Sequence, residues 1–338
     1  MGWSFARRRV LAAATLAAIA TVAPVMPRPS RAAGLRRTVR IGTVNPPGSA
    51  TGQACRAFAA AVAACPVLSP VLQVQVFTDG LLGGELEITR ACIDGSLDLA
   101  VTASNVVAAI IPELGLLDAP FLFRDAGHAR AVLDSAIGGE LTELMRAKGT
   151  NNLAWAENGL RHMTANKPIR RPKDMLGLHL RVPQSDVMVE TFRALGADPE
   201  PMAFPQLFEA LRTGRFEAEE NPVATIVSAG FAQVQTCLSL TGHVYSAAFF
   251  IVSSDLLEDL DQRQRDALAV AARAGADASR MAASSGEQAG IEMLRNSGMT
   301  IVQDVDRAAL AAAARPVVDA IAMRLGAQRA AEIRAYHA

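Results

Sequence analysis

Apolar residues along this chain fall into short runs of two kinds, punctuated by Gly, Pro and Asn, and their alternation predicts a layered α/β protein. Val39 to Val44 and Leu72 to Phe77 are runs too short for helices and read as strands, with the Ala-rich segment Thr51 to Ala64 between them as a helix. Glu85 to Asp94 reads as a second helix and Leu97 to Thr102 as a further strand. The logic repeats downstream. Leu153 to Glu157, Leu178 to Val182 and Glu217 to Glu220 are strand candidates, separated by the helices Ser185 to Leu195 and Phe204 to Thr213. Asp259 to Asn296 is of another kind, a proline-free stretch rich in Ala, Arg, Glu and Met that exceeds an ordinary globular helix, with Gly275 and Gly286 as candidate breaks. About 300 residues patterned this way suggest two lobes rather than one core.

The amino terminus does not fit this pattern. Arg7, Arg8 and Arg9 form a basic start, Leu11 to Val25 is apolar and Ala-rich, and Ser30-Arg31-Ala32-Ala33 supplies small residues for cleavage. Residues 1–33 are therefore expected to be a signal peptide removed on export, their apolar run being too short and too weakly flanked for a membrane span. Arg7-Arg8 also partly matches a twin-arginine signal, and Sec and twin-arginine export stand as two readings. The leader holds five of the 33 basic residues and no acid, so its loss leaves 28 basic against 33 acidic residues, a net charge of about −5. Such a surface does not favour nucleic acid or anionic membrane, and any affinity for anions must come from local arginines. The four cysteines, Cys55, Cys65, Cys92 and Cys237, form no CxxC pair and have no His at metal-ligand spacing, so they read as small buried residues and no metal is expected. A Cys55–Cys65 disulfide would require the intervening helix to break before Pro66.

The richest chemistry lies between Trp155 and Tyr245. There "WAENGLRHMT" places Arg161 and "GLHLRVPQSD" places Arg181 on strand candidates, and "LRTGRFEAEENP" ends in Asn221-Pro222. A guanidinium in an apolar setting keeps its charge and needs an anion, and its planar fork matches a carboxylate bidentately. Val182-Pro183 after Arg181 fixes an extended backbone, which holds the side chain on one heading.

The run from Arg181 to Pro222, together with "LLGGELEITRACIDGSLDLAV", "LDAPFLFRDAGHA" and "VQTCLSLTGHVY", resembles the solute-binding proteins of TRAP transporters, the DctP-like family. The resemblance extends from about Val39 to Val302. It implies a two-lobed periplasmic binding protein fold with a hinge and a long helix spanning both lobes. It also implies a ligand that is a small organic acid and, as partners, membrane permease subunits driven by an ion gradient, with no cofactor. The expected lobes are residues 34–158 plus about 247–285, and 159–246 plus about 286–338. By resemblance, Arg181 pairs with the ligand carboxylate, Arg161 adds a second contact and Asn221 reaches the ligand, while His243 and Asn45 match positions that approach it in some relatives. Phe204 either walls the site or belongs to the core. Glu85 either accepts from ligand hydroxyls or serves the first turn of its helix, where an acid is favoured by the helix dipole. Ala103 stands where sialic acid-binding relatives carry an acid, which argues against sialic acid.

Enzymatic motifs such as GxSxG, HExxH, a Walker loop or GxGxxG are missing, and His128, His162 and His179 are scattered without spaced partners. The alternatives are a periplasmic enzyme on a two-lobed binding fold and a sensor's ligand module. Export is directly testable. The periplasmic protein should lack residues 1–33, and replacing Arg7 and Arg8 by Lys should block its appearance there if the twin-arginine reading holds, whereas unimpaired export points to Sec.

Overall fold

The computed structural model describes residues 36–337, and the expected signal peptide, residues 1–33, lies outside them. The strands are β1 (Arg37–Gly42), β2 (Leu72–Phe77), β3 (Leu99–Ala103), β4 (Asn151–Ala165), β5 (His179–Val182), β6 (Asp198–Pro201), β7 (Ala218–Pro222), β8 (Cys237–Val252) and β9 (Thr300–Val302). They form one sheet in the order β2-β1-β3-β8-β4-β7-β5-β6, with β9 added to β8. β1 pairs parallel with β2 and β3, and β5 pairs parallel with β6 and β7, as expected where helices supply the crossovers between strands. Two long antiparallel strands join these parallel groups. β8 pairs with β3 through Ala248 to Val252, β4 pairs with β7 through Arg161 to Ala165, and β4 and β8 pair with each other from end to end.

Most expected elements form, and the departures have physical reasons. Leu153 to Glu157 is only part of the 15-residue strand β4, which continues through Arg161 and His162 because its polar side chains there find partners inside the protein. β8, 16 residues long, is buried almost throughout, so it lacks the apolar-polar alternation that marks a half-exposed strand. Phe204 to Thr213 divides into a 3₁₀ turn, Phe204–Gln206, and a short helix, Leu207–Arg212.

The long helix, Gln262–Asn296, runs unbroken for 35 residues. It is fixed at its start by Asp261, whose carboxylate accepts from the Gln264 amide at 2.8 Å while the Gln264 side chain accepts from the Asp261 amide at 3.0 Å. Leu268, Ala271, Ala272 and Ala276 pack into the core of the first half with Phe58, Leu99 and Phe250. Ile291 and Leu294 pack into the second with Leu207, Phe216 and Leu238. The helix thus runs across both halves of an α/β fold. The C-terminal helices also touch both, since Leu310 and Ala314 join Leu180 and Phe192 while Ile321 and Ile333 join Ile88 and Ile251. All four cysteines are unpaired, and the helix Ala50–Ala64 is unbroken up to Cys65, which excludes the Cys55–Cys65 pairing in this conformation.

Gly275 and Gly286 do not break the long helix; they serve opposite surroundings. A Cβ at Gly275 would stand 2.5 Å from Phe250 Cζ and 2.8 Å from the Ala54 carbonyl oxygen, so this glycine lets two helices approach over the sheet. A Cβ at Gly286 would meet nothing within 4 Å. Chemical denaturation should therefore show Gly275→Ala destabilised by about 1–3 kcal/mol through overpacking. Gly286→Ala should be stabilised by roughly 0.5–1 kcal/mol through helix propensity.

Candidate ligand-binding site

A cavity of about 20 Å³ lies where the two halves meet. The first half contributes Asn45 from the loop after β1, Glu85 at the start of its helix, and Ala103 and Asn105 at the end of β3. The second contributes Arg181 on β5, Pro183 just after it, Phe204 after β6 and Asn221 on β7. β4, which belongs to both, supplies Asn158 and Arg161. Ends of parallel strands are where open α/β sheets hold ligands, because loops and helix starts converge there with unspent polar groups. A larger groove of about 550 Å³ lies between the helix Ala136–Ala147 and the long helix. There Arg280 grips Asp134 through two bonds of 2.7 Å, and Trp155 Nε1 donates to Gly138 O at 3.2 Å.

The two arginines differ in kind. Arg161, 2 % exposed, donates through Nε and Nη2 to the Glu220 carboxylate, with Nη2–Oε1 at 2.8 Å, and Nη2 also donates to the Glu220 carbonyl at 2.6 Å. Burial by itself would raise the Glu220 carboxyl, but Arg161 and His243 hold it below its ordinary value, so this ion pair is charged. Arg181, 3 % exposed, has no such partner. Its Nε and Nη2 both donate to one neutral acceptor, the Met202 carbonyl, at 2.9 and 2.5 Å. Burial pushes its pKa down to about 10, only partly countered by Glu220 and Glu219, and Arg161 adds repulsion. A guanidinium that remains charged at neutral pH, buried without a carboxylate, is an arrangement that costs several kcal/mol unless an anion completes it.

The remaining expected residues are arranged around this pair. Asn221 is held by its neighbours, donating to Glu219 Oε2 at 2.6 Å and accepting from Arg161 at 3.3 Å. Glu85 is half-buried, and its Oε1 accepts from the Ala103 amide at 2.7 Å, tying its helix to the end of β3. Burial raises its carboxyl above the ordinary value, against the pull of that amide and of both arginines. Asn45 Nδ2 donates to Thr51 Oγ1 at 2.9 Å, and Phe204 walls the cavity while packing at a tilt against Phe231. His243 is the one expected residue that does not reach the cavity. It stands behind Glu220, with Nε2 3.1 Å from Oε2, and is pinned by Thr241 Oγ1 at 2.7 Å and by the edge of Phe192. Burial lowers its pKa, so it serves Glu220 as a hydrogen-bond partner.

Four contributors were not anticipated. Asn105 and Asn158 line the cavity, and Asp118 and Glu219 are fully buried beside it. Asp118 Oδ1 accepts from Ser104 Oγ at 2.7 Å while Oδ2 has no partner, and Glu219 accepts from Thr164 Oγ1 at 2.9 Å. Burial raises both carboxyls to about 7. Only the acidic run Glu217 to Glu220 hinted at Glu219; the others are single polar residues with no local signal.

This fold and site have relatives. The family "Bacterial extracellular solute-binding protein, family 7" (DctP) matches residues 41–324. A solute-binding protein of Verminephrobacter eiseniae is 41 % identical over 246 residues, covering 72 % of this chain and 73 % of the relative. The 2,3-diketo-L-gulonate-binding periplasmic protein of Escherichia coli is 33 % identical over 239 residues, covering 70 % and 73 %. Among solved structures, a TRAP periplasmic solute-binding protein of a Polaromonas species bound to D-erythronate superposes with a TM-score of 0.86 at 38 % identity, covering 89 % of this chain and 99 % of that one. The sugar acid binding protein of Advenella mimigardefordensis in complex with galactonate gives 0.84 at 30 % identity, covering 88 % and 97 %. With residues 41–324 matched and relatives at this level of identity, the chain belongs to the DctP family of bacterial extracellular solute-binding proteins, the periplasmic receptors of TRAP transporters.

Proposed function

We propose that this protein captures a small hydroxylated monocarboxylic acid, holds its carboxylate on Arg181 and closes two lobes over it for delivery to the permease. The observation that carries this reading is the Arg181 guanidinium, buried in the wall of an interlobe cavity with no acid to neutralise it. D-erythronate and galactonate, bound by relatives, each combine one carboxylate with several hydroxyls, which suits one unmatched cation among amide side chains. The lobes are residues 34–158 plus about 247–285 and 159–246 plus about 286–338, with the chain crossing between them in β4 and β8. A leader over residues 1–33 brings the protein to the periplasm.

Glu220 pairs with Arg161, while the Arg181 guanidinium is left without a carboxylate partner, which suits an acid with one carboxylate. A ligand contacting both lobes favours the closed form by its differential affinity for that form, and a receptor returns its ligand unchanged, which prolonged incubation and mass analysis check.

Truncating one side of a buried charge pair costs roughly 2–5 kcal/mol, so calorimetry should show Arg181→Ala weakening the acid by at least about tenfold. Arg181→Lys should restore little, because the ammonium lacks the planar fork. Binding by folded Arg181→Ala within about threefold of wild type would remove Arg181 as the anchor. A second test uses Asp118, whose carboxyl sits near 7 in the folded chain against about 4 unfolded. Between those values the folded state binds more protons, so the contribution of Asp118 to stability falls as pH rises from about 4 to 7. Asp118→Asn lacks that penalty. Its stability relative to wild type should therefore rise between pH 5 and pH 7.5, by on the order of 1–3 kcal/mol in denaturant titrations.

A further inference from the structure

We infer that Asn105 and Asn158 read the hydroxyl groups of the bound acid and set the protein's preference for hydroxylated over deoxygenated acids. The inference rests on the reading of the cavity as a carboxylate site and names the residues that choose among carboxylates. Four asparagines line the cavity, and they fall into two classes. Asn45 has donated its amide to Thr51, and Asn221 uses both ends of its amide between Glu219 and Arg161. Asn105 and Asn158 are as deeply buried, at 1 % and 3 % exposed, yet the side-chain carbonyl oxygen of each has no hydrogen-bond partner. Asn158 is anchored at its other end by a 3.4 Å bond from Nδ2 to Ser246 Oγ, so this amide is held in place with its acceptor unmatched.

A carbonyl taken out of water and given no protein donor needs a donor from whatever enters beside it. A hydroxyl supplies one. A methylene does not, and a second carboxylate would set acceptor against acceptor. Position strengthens the point. The carboxylate anchor, Arg181, is on β5 in the second half, whereas Asn105 follows β3 in the first and Asn158 lies on the shared strand β4. Hydroxyls bonded to these two amides would therefore carry the ligand's grip across the cleft from the anchor. An acid without them makes neither of these bonds.

The test titrates wild type, Asn105→Leu, Asn158→Leu and the two Asn→Asp variants with D-erythronate and D-galactonate, with their deoxygenated counterparts butyrate and hexanoate, and with succinate. Sites built to bond a hydroxyl reject analogues that lack it by large factors, so wild type should favour the hydroxylated member of a pair by at least about 100-fold. Each leucine variant should reduce that ratio by about tenfold or more through weaker binding of the hydroxylated acid, with the deoxygenated acid within about threefold of its wild-type affinity. The aspartate variants keep an acceptor and add a negative charge. They should weaken both members of a pair and preserve the ratio, and where a leucine variant does not melt like wild type, aspartate variants that leave both acids within about threefold of wild-type affinity would overturn the inference. Leucine variants that melt like wild type and keep the ratio within about threefold would overturn the inference while leaving the carboxylate reading intact. A wild type that prefers succinate to both hydroxylated acids, or binds none of the five, would overturn both.

Discussion

β4 and β8 pair antiparallel between Asn151–Ala165 and Cys237–Val252, and along this ladder both halves of the sheet, both arginine neighbourhoods and the long helix are brought into register. The ladder is irregular where the site needs it to be. Asn158 and Arg161 are three residues apart and in a regular strand would face opposite sides of the sheet. The register shifts between Glu157 and Gly159 and between Arg161 and Met163, and Gly159 takes a φ of 125° that side chains resist. Both side chains consequently line one cavity, while Glu157 turns away to accept from Arg130 at 2.6 Å. The glycine has a second role, since a Cβ there would come within 3.1 Å of Pro222 Cβ, next to Asn221.

The division of labour between the arginines follows from their partners. Arg161, Glu220 and His243 form a bonded set, with Glu220 accepting from Arg161 and standing 3.1 Å from His243 Nε2. That set keeps a positive charge near the cavity without leaving it unbalanced. It also keeps Glu220 deprotonated and occupied, so it is not available to Arg181. The site therefore separates an internal ion pair from a guanidinium that has only a neutral carbonyl as its partner. Glu219 and Asp118 add a different property, since carboxyls held near 7 can change charge at modest expense when the field around them changes.

Much of this was legible in the sequence because the signals were local. β2 was read to the residue, and Arg181 announced itself through Val182-Pro183, which fixes the strand end that presents it. Six of the seven named residues line the cavity, Arg161 and Glu85 among them. What escaped was set by distant contacts. β8 carries no period because both its faces are covered, and Asp198–Pro201 looks like a loop until β5 pairs with it. His243 lies on a strand that passes the cavity one layer back, and no spacing could show that Glu220 would stand between them. Asn105 and Asn158 are ordinary polar residues locally, distinguished only by what their oxygens lack in three dimensions.

The cavity's volume of about 20 Å³ has a consequence for affinity. That is room for about one water molecule, too little for a four-carbon acid. An acid of that size fits only where the side chains or the two halves around the cavity stand further apart. Any change that holds the described arrangement more firmly therefore lowers the fraction of molecules able to bind, and weakens the apparent affinity by that fraction.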